Sequence, residues 1–217
     1  MTSAFQKARE PMSSYTHFIG AVASVFATVL MILKACLDPG FTTVRLVSVI
    51  LFGVSMMVLY SASSIYHYSN ANPHVVRILR RLDHSVIFVL IAGTYTPICL
   101  NMMQAPTNVI FTTAIWGVGI LGIIVKMCWF DAPRWLSTLL YLLMGWSIVL
   151  DFGAILAMPP MAIVFLVLGG IAYTIGGIIY IVKKPNFSAS FGFHELFHIF
   201  VLAGTFFHFL LVLFFIA

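Results

Sequence analysis

A bundle of seven transmembrane helices is the fold class this sequence predicts, and three observations carry that prediction. The chain is 62% hydrophobic and 8% charged, whereas a soluble domain is about 45–50% apolar and about 25% charged. Seven apolar runs are each long enough to cross a hydrocarbon core of about 30 Å. The breaks between them hold turn-forming residues and most of the charge. A mean hydropathy of +1.08 agrees.

The first run, 17–36, follows Lys7 and Arg9 and so has the layout of a secretory signal. Its length, and the poor fit of Lys34 two residues before Cys36, favour a membrane helix instead. Asp38-Pro39-Gly40 separates it from the second run, 46–67, and Asn70-Ala71-Asn72-Pro73 precedes the third, 83–103. Ala105-Pro106-Thr107 introduces the fourth, 108–128, and Asp131-Ala132-Pro133 the fifth, 135–156. Pro159-Pro160 leads into the sixth, 161–182, and Lys184-Pro185-Asn186 lies before the seventh, 192–216. The connections are too short for another domain, so residues 1–217 read as a single seven-helix transmembrane domain.

Charge sets the expected orientation. Lys7, Arg9, Arg77, Arg80, Arg81, Lys126, Arg134, Lys183 and Lys184 fall on the side of the N-terminus and the even-numbered loops; only Lys34 and Arg45 flank the other. By the positive-inside rule the N-terminus is cytoplasmic and the C-terminus extracytoplasmic. Trp129 and Trp135 fit an aromatic belt at the cytoplasmic interface. The net charge of +5 therefore reports topology rather than nucleic acid binding. Three cysteines without regular spacing, Cys36, Cys99 and Cys128, read as small packing residues and not as a disulfide framework.

With this topology the polar residues gather in one layer. His67 ends the second helix, with Ser63 one turn earlier on the same face; Asp83 begins the third; His194 and His198 begin the seventh. Ionisable groups at membrane depth are costly and mark function. Three histidines suit a zinc ion with its fourth position open to water or substrate. Asp83 is placed either to accept a hydrogen bond from that water or to bind the metal directly. Zinc would bring the pKa of the water to about 7, with Asp83 as general base. Ser63 would hold the water or stabilise a developing oxyanion.

The other polar residues read more plainly. His17 and His208 are expected to be hydrogen-bonded packing residues, the latter about 15 Å along the axis from His198. His74 is a loop residue, and His84 points away from the face of Asp83. His194-Glu195-x-x-His198 also matches a zinc-protease motif whose glutamate is the base. Position 204 is a glycine and no acidic residue follows Glu195, so that motif lacks its third ligand. Glu195 is then expected to pair with a cytoplasmic arginine. Asp151, about a membrane's width from His194, is expected to pair with Lys34 or Arg45 or to be solvated.

Ser63-x-x-x-His67, Asp83 within Arg81-Leu82-Asp83-His84-Ser85, and His194-x-x-x-His198 together resemble the haemolysin III proteins. These are the bacterial branch of the progestin and adipoQ receptor family. Glu10-Pro11-x-x-Ser14-x-x-His17 and Ala92-Gly93-Thr94-Tyr95-Thr96-Pro97 fit the same resemblance, which covers nearly the whole chain. Bacterial relatives often carry asparagine where Ser14 stands. The resemblance implies a seven-helix bundle and a zinc ion near the cytoplasmic face on His67, His194 and His198, with Asp83 contacting the zinc-bound water. Its relatives include the adiponectin receptors and, more remotely, the alkaline ceramidases.

Three functions compete at this point. One is a membrane zinc hydrolase of a lipid amide or ester, with Phe88, Phe193 and Phe197 placed to line an acyl-chain cavity. Another is a receptor-like regulator of membrane homeostasis in which zinc is structural. The third is a pore-forming cytolysin, as the family name suggests, which no polar stripe along these helices supports. Membrane lipid is the environment in all three, and the substrate or ligand in the first two.

Overall fold

Proline, asparagine and threonine decide where the spans begin. In a computed structural model of the chain, residues 4–129, 132–188 and 191–217 are described. Pro11 opens α1 (Pro11–Leu37), and the Thr42 side chain accepts from the Arg45 amide to start α2 (Thr43–Tyr68). Asn72 caps α3 (Pro73–Met102) through the Val75 amide at 3.1 Å, with Pro73 at its first position. Such residues satisfy or remove donors that a helix start leaves unpaired. α4 is Thr107–Cys128, α5 Arg134–Gly145, α6 Phe152–Ala157, α7 Pro160–Val182 and α8 Phe193–Phe215. α5, a 3₁₀ segment at Ser147–Asp151 and α6 form one span, so the described residues contain seven helical spans.

α1 packs on α2, α2 on α3, α3 on α4, and α7 on α8, which returns to α1 and closes the bundle; α5 packs on α7 and α3. α3 is the most buried span, while α4 and α5 give most of their surface to lipid. Small residues permit the close approaches that hold helices together in lipid: Gly93 lies against Ser55, and Gly204 against the Tyr173 ring.

Several sequence expectations need correction. α3 starts ten residues before position 83, so Asp83 lies about three turns into the helix rather than at its start. The hydropathy signal misses those turns because Arg77, Arg80 and Arg81 dilute it, although Asn72 and Pro73 mark the true start. His74 accordingly lies in the first turn of α3, not in a loop.

The fifth run is not one continuous helix. Its broken backbone is satisfied by Tyr95 of α3, whose hydroxyl donates to Gly145 O at 2.7 Å and accepts from Ile148 N at 2.9 Å. Non-helical backbone at membrane depth needs such internal partners. Among the cysteines, which are all free, only Cys99 packs in the core; Cys36 and Cys128 are exposed. The turn expected at Asp131 lies outside the described residues.

At the end opposite the histidines, the charges find other partners than expected. Asp38 pairs with Arg45 at 3.0 Å and accepts from the Gly40 amide. The Gly40 hydrogen bond, aided by Arg45, holds its carboxyl below the usual range. Lys34 donates to the Leu213 carbonyl. Asp151 pairs with neither of these cations among its described contacts: half-buried, it caps α6 through the Ala154 amide at 3.1 Å.

Candidate metal centre

The last turn of α2 carries His67, and the first two turns of α8 carry His194 and His198. Spacing of four puts the α8 pair on one helix face, and their ring centroids lie 4.6 Å apart. Packing of α8 on α1 and of α2 on α1 then brings His67 to 4.9 Å from each of them. One ligand atom from each of the three lies within 4.8 Å of the others, so this buried triad can hold a metal ion. His67 and His198 are almost wholly buried and His194 is partly so.

Glu10 completes the triad, and sequence reasoning missed its role. Its carboxylate accepts from His67 Nδ1, which leaves the Nε2 lone pair facing His194 Nε2 at 3.3 Å. A carboxylate behind a ligating imidazole fixes tautomer and ring orientation. Burial alone would raise the Glu10 pKa, but the His67 hydrogen bond and the charges of His67, Arg9 and His194 bring it to about 2. The preceding segment is strapped over the end of α2: Glu10 N donates to His67 O at 3.0 Å, and the Arg9 guanidinium lies 4.4 Å from the Tyr66 ring centroid. Arg9 also pairs with Glu10 at 3.4 Å. The available signal was an acid immediately before Pro11, a helix-start residue, in a chain with so few acids.

Asp83 is buried beside the triad and within hydrogen-bonding reach of the Ser63 hydroxyl. It is not one of the mutually close ligand groups. The two residues therefore lie together, as their positions on α2 and α3 predicted, one step outside the three imidazoles.

Several neighbours differ from expectation. Glu195 makes no arginine pair among its described contacts: one oxygen accepts from Ser13 Oγ at 2.7 Å and the other from Gly192 N at 2.9 Å. It thereby caps α8 and ties it to α1, leaving neither oxygen placed to act as a protease base. His17 lacks the expected hydrogen bond among the described residues. It stacks on His198 with centroids 3.6 Å apart, and neither of its buried ring nitrogens has a hydrogen-bond partner among the described residues. His208 does fit its reading, donating from Nδ1 to Gly204 O at 2.8 Å. His84 lines the same cavity as Asp83 rather than turning from it.

That cavity, of about 450 Å³, starts at Ser63, Asp83 and His194 and passes Tyr173 to Phe152 and Leu156 at the other end of the bundle. Its walls are largely apolar. Phe197 lines it, while Phe88 packs against Tyr141 and Phe193 lies beside Tyr180.

The comparisons with known proteins agree with one another. A family model described as "Haemolysin-III related" matches residues 5–209. A Bacillus cereus protein named "Hemolysin-3" is 35% identical over 220 residues, which cover 100% of this chain and 96% of that one. A "Hemolysin-3 homolog" of Bacillus subtilis (strain 168) is 36% identical over 207 residues, 95% of this chain and 93% of its own.

Proposed function

Because this chain belongs to the haemolysin III family of multi-pass bacterial membrane proteins, we propose that it is a zinc-dependent hydrolase of a lipid amide or ester. The site faces the cytoplasm, the side that carries nine of the 11 lysines and arginines. One observation carries the reading: three buried imidazoles converge at the head of a largely apolar cavity, with a buried carboxyl beside them.

The donor set fits zinc. All three ligands are imidazoles, and at His67 the Glu10 carboxylate leaves the inner nitrogen free of a proton. Two ring nitrogens 3.3 Å apart need a proton or a cation between them, and a three-histidine shell is that of a zinc site with an open position. Zinc held there supplies Lewis acidity and brings the pKa of a coordinated water to about 7.

His67, His194 and His198 hold the metal. Asp83 takes the proton of the attacking water and returns it to the departing nitrogen or oxygen. Water is thus added across the acyl bond: the acyl carbon gains OH and the leaving group gains H. Ser63 acts through Asp83, orienting its carboxyl, and is a positioning residue. The apolar walls accept the acyl chain and exclude bulk water from the bond being cleaved.

Zinc content of detergent-purified protein tests the first half of this reading. About one zinc per chain is expected, lost in both His67→Ala and His194→Ala. Zinc-loaded protein is then offered a panel of lipid amides and esters. Turnover should vanish in Asp83→Ala with zinc retained; no turnover across the panel would sink the hydrolase.

A specific observation favours the regulator as the second reading. Glu10, Ser13 and Thr16 each reach across to α2 or α8 beside the metal ligands, so the site also fastens three elements together. On that reading zinc stabilises the bundle while no lipid is consumed.

A further inference from the structure

Two elements, α3 and α5, line the head of the cavity with the same gradient of polarity. On α3 the lining residues run Arg80, Asp83 and His84, then Ile87, Leu90 and Ile91. The spacing is that of one helix face. On α5 they run Arg134 and Ser137, then Leu142, and Lys126 joins them from the end of α4. The charged end of every element is the end at the histidines. The apolar bore continues past Leu142 and Ile148 to Phe152 and Leu156 in α6, at the far end of the fifth span.

Two of the three cations differ from ordinary topogenic charges, which sit in water; Arg80 is exposed. Lys126 is only 6% exposed and donates to Ser137 Oγ at 2.9 Å. Arg134 lies over the Tyr180 ring at 4.6 Å, and its buried Nη1 has no hydrogen-bond partner among the described residues. Arg134 is also the first residue of α5, where the positive end of the helix dipole favours an anion over a cation. Arg80 is near enough to Lys126 for their charges to interact, and His84 feels Lys126, Arg80 and Arg134 together. Asp83 is the only acid among the described lining residues. The described lining residues thus include three cations and one acid, and a phosphate monoester carries about −1.5 to −2. Guanidinium groups suit phosphate oxygens in both geometry and charge.

We infer that Arg80, Lys126 and Arg134 form a phosphate subsite at the cavity mouth, and that the molecule it receives is a single-chain lipid with a phosphate headgroup. The headgroup lies on the three cations, the acyl chain lies in the bore, and the bond joining them falls beside Asp83 and the metal centre. As an assignment of substrate this rests on the hydrolase reading; as an assignment of ligand it does not.

The test uses ether-linked lipids, which bind but have no ester to cleave. Zinc-loaded protein in nonionic detergent is titrated with 1-O-oleyl lysophosphatidic acid, with its uncharged 1-O-oleyl glycerol counterpart, and with inorganic phosphate. The phosphate lipid should bind about tenfold or more tighter than the uncharged one, the scale of one lost charge-assisted hydrogen bond. Inorganic phosphate should bind far more weakly than either lipid. Arg80→Gln, at an exposed position, should cost about tenfold for the phosphate lipid alone. Lys126→Gln should behave likewise, with Lys126→Arg restoring most of the loss; zinc content verifies each fold.

Equal affinity for the charged and uncharged lipids would overturn the subsite, as would an unchanged affinity in zinc-replete Arg80→Gln. Phosphate alone binding as tightly as the lipid would overturn the lipid assignment in favour of a free anion. If the ether lipid binds as expected while its ester analogue is not turned over, the subsite stands and the hydrolase reading falls.

Discussion

Glu10 and His17 are the residues through which α1 and its lead-in act on the metal ligands, one by charge and one by contact. The Glu10 carboxylate sits behind His67, and losing such a partner costs about 10–100-fold in metal affinity. Glu10→Ala should show that loss in a competition titration against a chelator, with helix content unchanged. His17 lies flat on His198, but its nitrogens bond to nothing among the described residues. A ring there serves packing, and its polarity is a cost. His17→Phe should therefore retain zinc and match or exceed wild-type stability. His17→Ala, which opens a void beside His198, should lose about 2–4 kcal/mol. Loss of zinc in His17→Phe would instead make His17 part of the metal site.

At the scale of the element, the fifth span shows how a helix can be interrupted inside a membrane. The Tyr95 hydroxyl serves both Gly145 O and Ile148 N, the groups exposed where α5 gives way to the 3₁₀ turn. Tyr95→Phe keeps the ring and removes both bonds. It should cost about 1–3 kcal/mol, the range for buried polar groups left unpaired, and raise hydrogen exchange at Ile148. Such a break left no trace in hydropathy, which averages over a whole span. For the same reason the seven spans were legible while the start of α3 was not. Pairs four apart on one helix, Ser63 with His67 and His194 with His198, were readable because the helix itself sets their geometry. The Glu10 and His17 contacts were not, since they depend on how the N-terminal segment lies across α2 and α8. Glu195 was misread for a related reason. Its local signal, an acid three residues past Gly192, is that of a cap, but the longer motif drew attention first.

For the whole molecule, the candidate metal centre is where α1 and α2 meet α8. α1 and α2 contribute Glu10, His17 and His67, α8 contributes His194 and His198, and well over a hundred residues separate them. Metal bound only to the native bundle stabilises it by mass action. Free zinc at about 100 times its dissociation constant adds about 2.7 kcal/mol, or about 5–10 °C in Tm for a chain of this size. Chelation should therefore lower Tm by that amount, and zinc should restore it. Asp83→Asn, outside the ligand set, should leave the zinc-dependent rise intact in either functional reading. In the hydrolase it should abolish turnover at unchanged zinc content, because the amide cannot take the water's proton. A zinc-dependent rise in Tm with no lipid consumed by wild type would identify the metal as a clasp between α2 and α8. The absence of any rise, at confirmed zinc occupancy, would mean that the unfolded chain binds the ion as tightly as the native bundle does.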